Sequence, residues 1–334
     1  MGSDSAGHVA RSTIVPESET PPRTRVRRFL TTADGVAIDA VYEPGAAGGH
    51  GSGGVFVIAH GFTGDLGRPH VRRVARTLAR YGAVVTFSFR GHGASGGRST
   101  VGDREVLDLA AAVAWARGLG HARVTTVGFS MGGSVVLRHA ALYGGRSDAR
   151  EVREDAGEAR KAPEEAWEAR KAPEDAGEVR EVREARKAPE DAWEVREARE
   201  VREAARTDAV VSVSAPARWY YRGTAPMRRL HWLVMRPEGR LLSRYGLRTR
   251  IHHRDWDPVP LSPVEAVPLI APTPLLIVHG DRDAYFPLDH PRMLATAAGD
   301  HGELWLEPGM GHAENAAADE LLHRIARWSV AQEG

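Results

Sequence analysis

The sequence predicts an α/β fold built on a mostly parallel sheet. Two observations carry this expectation. Short, continuously apolar runs such as "GVFVIAHG" and "PLLIVHGDRD" suit strands covered on both faces, and helical stretches of ten residues or more alternate with them. A third is size: with two atypical segments set aside, about 250 residues remain, a common length for one strand-helix domain.

The elements follow in order. "VRRFLTTADGVAIDAVYEP" reads as two alternating strands joined at Asp34-Gly35, a hairpin signal. "GVFVIAHG" is the first buried strand, followed by a helix over Arg68 to Tyr81. Next come "AVVTFSFRG", a helix over Asp103 to Leu119, and "RVTTVGFS" running into the helical "SVVLRHAALY". Further on, "DAVVSVSAP", "PLLIVHGDRD" and "ELWLEPGMGH" read as strands, with helical stretches at Leu288 to Ala298 and Glu314 to Val330.

The two segments set aside are the start and the middle. Residues 1–24 hold no apolar block of signal-peptide length, and no later run approaches a membrane span, so a disordered tail on a cytoplasmic protein is expected. Residues 149–206 repeat "EARKAPE" three times and hold 14 basic and 18 acidic side chains, a net charge of −4. Their few apolar groups cannot build a core. They read as a low-complexity charged insert, either short helices broken at Pro163, Pro173 and Pro189 or disorder. A protein partner for this insert is the open functional reading, and a tandem expansion without a binding role is the plainer one.

Composition removes several chemistries. The 334 residues include no cysteine, which excludes disulfides, thiolate metal sites and thiol nucleophiles. Lys and Arg number 45 against 44 Asp and Glu, so the global balance points to no nucleic-acid partner.

The stretch Gly128-Phe129-Ser130-Met131-Gly132 fits G-x-S-x-G between a strand and a helix. Glycines on both flanks suit a sharp turn that thrusts a side chain outward, and the following helix favours negative charge beside Ser130 through its N-terminal dipole. The turn lacks the lysine of a phosphate loop and has Ser130 where a dinucleotide loop needs glycine. A purely structural turn remains open on these five residues alone. A nucleophilic serine needs a base, and the base needs an acid to orient it. Asp281 and Asp283 follow one apolar strand, and His312 follows the last. Asp283 lies deeper in its loop and is the expected acid, with Asp281 bracing the turn. Two amides must face the developing oxyanion, and those of Met131 and Phe62 are the candidates, with Gly61 allowing close approach. His60 and His92 read as loop-stabilising residues.

The motifs "HGFTG", "FRGHGASGG", "GFSMGG", "HGDRDAYFP" and "GMGH" resemble the α/β-hydrolase superfamily, in particular serine aminopeptidase-like and monoacylglycerol lipase-like hydrolases. The resemblance spans nearly all of residues 25–334 outside the insert. It implies the α/β-hydrolase fold, Ser130 as nucleophile, Asp283 as acid, His312 as base and the Phe62 and Met131 amides as oxyanion hole. The chain order Ser, acid, His agrees. One departure is Ser88-Phe89 before the "RGHG" turn, where many relatives carry an acidic residue.

The expected activity is hydrolysis of a small-molecule carboxylic ester through an acyl-enzyme on Ser130, with no metal or organic cofactor required. A peptidase, thioesterase or perhydrolase would use the same triad, and a non-catalytic scaffold binding a protein through the insert is the reading from another class. Residues 215–265 are expected to form a cap over the pocket, with Trp219, Tyr220 and Trp232 facing substrate. Arginines interleave with these aromatics but match no nucleic-acid motif. Because the Ser130 helix runs back across the sheet, the insert after it should leave from the edge remote from Ser130.

Overall fold

The apolar runs of the sequence become neighbouring strands of one sheet. The structure, a computed structural model, describes residues 24–46, 54–144 and 199–332. Residues 1–23 of the expected tail and 145–198 of the insert region lie outside them. The strands are β1 (Val26–Thr31), β2 (Ala37–Glu43), β3 (Val55–Ala59), β4 (Ala83–Phe87), β5 (Val124–Phe129), β6 (Ala209–Val213), β7 (Leu275–Gly280) and β8 (Gly302–Glu307). Their spatial order is β1-β2-β4-β3-β5-β6-β7-β8. β1 and β2 pair antiparallel, as do β2 and β4, and the remaining pairs are parallel.

Side-chain alternation along each strand feeds two cores. On one face Val57, Ala59, Val85 and Phe87 pack with α2 (Glu105–Gly118), α3 (Met131–Tyr143) and α7 (Asp289–Ala298). On the other, Phe56, Ile58, Val84 and Val127 pack with α1 (Pro69–Leu78) and α9 (Asp319–Ala331). All five side chains of β3 and of β4 are buried, as the unbroken apolar run of β3 and the four apolar residues around Thr86 in β4 require. Each large aliphatic side chain buried this way contributes about 1.5–3 kcal/mol.

Two local expectations differ from what is observed. β2 is not half exposed, because it lies between β1 and β4 and is buried from Ile38 to Tyr42. Asp39, on that strand, is accommodated by two hydrogen bonds from the Arg27 guanidinium at 2.8 and 2.7 Å. The single helix expected over Glu314 to Val330 is split into α8 (Ala313–Ala316) and α9. Arg73 donates to the carbonyl oxygens of Glu314 and Ala317, at 2.9 and 2.7 Å, at this break.

The segment after β6 forms α4 (Ala225–Met235), α5 (Pro237–Gly246) and the short α6 (Pro263–Ala266). It returns across the loop after β4 through bridges between His92 and Thr249 and between Ser99 and Ile251. The described flanks of the charged insert are the end of α3 and the helical residues 199–204. The chain after the second flank enters β6 beside the start of β5, with the Asp208 amide donating to Val124 O at 2.8 Å. Ser130 follows the opposite end of β5, about 20 Å away along the strand.

Candidate active site

Ser130 occupies the point where β5 turns into α3. Its backbone has φ 52° and ψ −113°, a left-handed conformation costing on the order of 1–3 kcal/mol for a residue with a side chain. The turn closes because the flanking glycines lack Cβ atoms: one on Gly128 would strike Gly132 O, and one on Gly132 would strike Ala59 O. The Ser130 amide donates to Val213 O at 2.9 Å, tying the turn to β6.

Asp283 and His312 arrive at this turn from the ends of β7 and β8. His312 Nε2 lies 2.9 Å from Ser130 Oγ, and Nδ1 lies 2.7 Å from Asp283 Oδ2. An ionised carboxylate only accepts, so the proton of a neutral His312 sits on Nδ1 and Nε2 is left to accept from the serine. The Asp283 side chain has no exposed surface. Burial by itself would push its carboxyl up, but the hydrogen bond and charge of His312 and the amides of Phe286 and Tyr285 outweigh it. The carboxyl is therefore held below its ordinary value. Tyr285 stacks on the His312 ring at 4.2 Å, and Phe286 meets it edge-on at 5.6 Å. Asp281 has a separate task, accepting the Gly309 amide at 2.6 Å and so closing the loop that carries His312.

The loop Gly61–Gly64 faces Ser130 from the end of β3. The Gly61 amide donates to Glu314 Oε1 at 3.2 Å, the Thr63 amide to His92 Nε2 at 3.3 Å, and the Gly64 amide to Gly61 O at 2.9 Å. Phe62, between them, lines the same cavity as Ser130 and Met131, and no acceptor among the described residues takes its amide. Met131 opens α3, where an amide has no partner within the helix. Two donors beside Ser130 thus remain available. His60 accepts the Phe89 amide on Nε2 at 3.0 Å and donates from Nδ1 to Gly61 O at 2.7 Å. Burial pushes it down to about 3, and burial lowers His92 as well, so both serve as neutral scaffold. Ser88, at the position of the sequence departure, accepts the Leu66 amide on its hydroxyl at 3.1 Å and thereby helps hold the loop after β3.

Glu314 was not singled out in the sequence. Its carboxylate is buried, and a Cβ on Gly61 would lie 3.2 Å from its Oε1 and 3.4 Å from Ser130 Cβ. The only local signal is its place two residues after His312, since its partner Gly61 is 253 positions away.

A cavity of about 140 Å³ opens beside Ser130, lined mainly by apolar groups that include Phe62, Trp219, Tyr221, Met227, Trp256 and Phe286. Trp219 and Tyr220 both line it. Trp232 does not, which corrects the expectation that it faces substrate. At 100° per residue, Met227, Leu230 and Val234 take the inward face of α4 and turn Trp232 outward, where it is 48% exposed. Glu105 shapes the cavity floor by accepting from Ser99 Oγ and from the Thr100 and Gly102 amides at 2.8, 2.8 and 2.9 Å. No group of three or more metal-ligating side chains is found among the described residues, and no helix there is long and apolar enough to cross a membrane.

Comparison with known proteins gives the same fold. The profile of the alpha/beta hydrolase fold family matches residues 54–313, well over half of the chain. No curated protein matches the sequence significantly. Among solved structures, the chain is similar to the esterase Pf2001 of Pyrococcus furiosus, at 19% identity and a TM-score of 0.58, covering 97% of this chain and 96% of that one. It is also similar to the α/β hydrolase GrgF from Penicillium sp. sh18, at 14% identity and a TM-score of 0.56, over 92% and 98% of the two chains. XC6422 from Xanthomonas campestris, described as an α/β serine hydrolase without a lid, matches at 16% identity and a TM-score of 0.53, over 94% and 97%. At these identities the likeness shows the fold.

Proposed function

The chain belongs to the α/β hydrolase fold family, and on that premise we propose that it is a serine hydrolase acting on small carboxylic esters. The observation that carries the reading is the unbroken relay from Ser130 Oγ through His312 to Asp283, at 2.9 and 2.7 Å. A structural serine turn has no need of an imidazole oriented by a fully buried carboxylate.

The steps follow from the geometry. His312 Nε2 takes the Ser130 proton as Oγ attacks the carbonyl carbon. The resulting oxyanion accepts the Phe62 and Met131 amides, which are fixed before the charge develops. Asp283, held ionised, stabilises the imidazolium that forms. His312 then protonates the departing alcohol, leaving an acyl group on Ser130. Water, deprotonated by His312, attacks this acyl-enzyme, and the proton returns to Ser130 as the acid is released.

Cavity size narrows the acyl group. An apolar cavity of about 150 Å³ holds a single benzene ring, so 140 Å³ here suits a short or single-ring acyl group better than a long fatty chain. The aromatic walls agree. Segment 215–265 supplies much of that wall and acts as the cap. The ester reading also draws on the esterase name of the Pyrococcus furiosus neighbour.

A fluorophosphonate probe tests the nucleophile: wild type is labelled and Ser130→Ala is not. Labelling that persists in Ser130→Ala, or none of the folded wild type, overturns the assignment. Aryl esters of increasing acyl length, run beside aminoacyl amides and thioesters, test the substrate class. The expected profile peaks at short or single-ring acyl esters, and faster amide turnover overturns the ester reading.

A further inference from the structure

The outer face of α4 and α5 is unlike the rest of the described surface. Residues 218–254 contain ten arginines and one acidic residue, Glu238. Arg222, Arg228, Arg229, Arg236, Arg244 and Arg248 are exposed. Among the described residues, the only ion pair made by an arginine of this segment joins Arg218 to Asp289 at 2.8 Å. A solvated basic face would carry polar residues between its charges. This one carries Trp232, Met235, Leu241, Leu242 and Tyr245, exposed by 40–75%.

Helix geometry explains the placement. α5 buries Gly239 and Ser243, and Gly239 is packed so closely on α4 that a Cβ there would lie 2.6 Å from Leu233 Cα. The opposite side, about 180° away, presents Leu241 and Tyr245 with Arg244 beside them. α4 turns Met227, Leu230 and Val234 into the cavity and leaves Trp232 outside among Arg228, Arg229 and Arg236.

The occupant of this face must satisfy guanidinium groups and bury leucine and indole side chains together. A second copy meeting it about a two-fold axis would set arginine against arginine. A soluble polyanion would take the charges and leave the apolar groups in water. An anionic bilayer surface does both, with headgroup phosphates at the arginines and the acyl boundary under the apolar side chains. We propose that α4 and α5 dock the protein on a bilayer surface rich in anionic phospholipid. The mouth of the cavity adjoins this face: Tyr220 and Met235 line the cavity and are 50% and 40% exposed.

The test is flotation of the purified Ser130→Ala protein with vesicles, which separates binding from turnover. Phosphatidylcholine vesicles with about one third phosphatidylglycerol should bind at least about ten-fold more protein than phosphatidylcholine alone, and high salt should weaken the binding. The double variants Arg244→Glu/Arg248→Glu and Leu241→Ser/Tyr245→Ser should each lower it about five-fold or more, with unchanged circular dichroism. Equal binding to both vesicle types overturns the proposal, as does undiminished binding of folded Leu241→Ser/Tyr245→Ser. Sedimentation velocity showing a dimer that Leu241→Ser dissociates also overturns it, because the face would then be a contact between copies.

Discussion

The serine turn and the α4–α5 hairpin adjoin the same cavity but are held in place by different means. Ser130, Asp283 and His312 each stand on a short connection from a parallel strand, with β5 and β7 buried throughout and β8 at the partly exposed edge of the sheet. Their neighbours are bound over long sequence distances: Gly61 to Glu314, Thr63 to His92, Gly309 to Asp281. The hairpin buries only Met227 and Leu233 of α4 and Gly239 and Ser243 of α5. The proposed relay is thus set by strand ends and by hydrogen bonds between segments distant in the chain. The wall of the adjoining cavity is built from elements with far fewer anchors, where substitutions can reshape the cavity without unfolding the sheet.

The largest expected effect breaks the serine turn chemically while leaving it folded. Ser130→Ala should lower kcat for a short aryl ester by about 10⁴ to 10⁶-fold at unchanged melting temperature, as measured by stopped assay and calorimetry. A loss below ten-fold would remove the relay from the mechanism.

Acid should weaken the strand-anchored half next. His60 and His139 are fully buried and burial lowers each to about 3, whereas a histidine in the unfolded chain titrates near 6.5. Between those values the unfolded state binds more protons than the native one, so stability falls as pH drops below 6.5. The slope approaches about 1.4 kcal/mol per pH unit for each group. Asp283 does not offset this, because its lowered carboxyl keeps its contribution until the pH falls below the ordinary carboxylate value. Urea unfolding at pH 7 and 5.5 measures the loss, and His139→Gln should show a shallower slope.

Glu314 sharpens the same comparison. Glu314→Ala frees the Gly61 amide and the loop presenting Phe62, and should cost about 10- to 100-fold in kcat with little change in KM. Glu314→Gln keeps an acceptor and should recover most of it. If both variants behave alike, the carboxylate is not holding the loop through that acceptor.

The smallest effect belongs to the hairpin and its approach. Trp219→Ala should raise KM for a single-ring acyl ester about three- to ten-fold and broaden tolerance of longer acyl groups, with kcat for acetyl esters nearly unchanged. Loss of kcat across the whole panel would mean that this wall also positions the triad.

Much of the serine turn was legible because the signals are local and stereochemical. Gly128 and Gly132 are needed by a turn that only glycine can close, and Asp283 and His312 end apolar strands whose parallel order brings their tips together. Trp232 was misread for the complementary reason. Its residue type suits a pocket, but which face of α4 turns inward depends on how the hairpin seats on the sheet. Glu314 was missed because its role exists only once the end of β8 meets the end of β3. The split between α8 and α9 likewise lies beside Arg73, a residue on another helix.

By itself, then, the sequence determined the parallel sheet, the turn at Ser130 and the order of its partners, since strand periodicity and glycine sterics act within a few residues. The tertiary structure alone decided how the Gly61 loop is tied to Glu314, how large the cavity beside Ser130 is and which side of α4 and α5 meets the surroundings. Those outcomes depend on contacts between segments far apart in the chain, and no local pattern encodes the angle at which two packed elements meet.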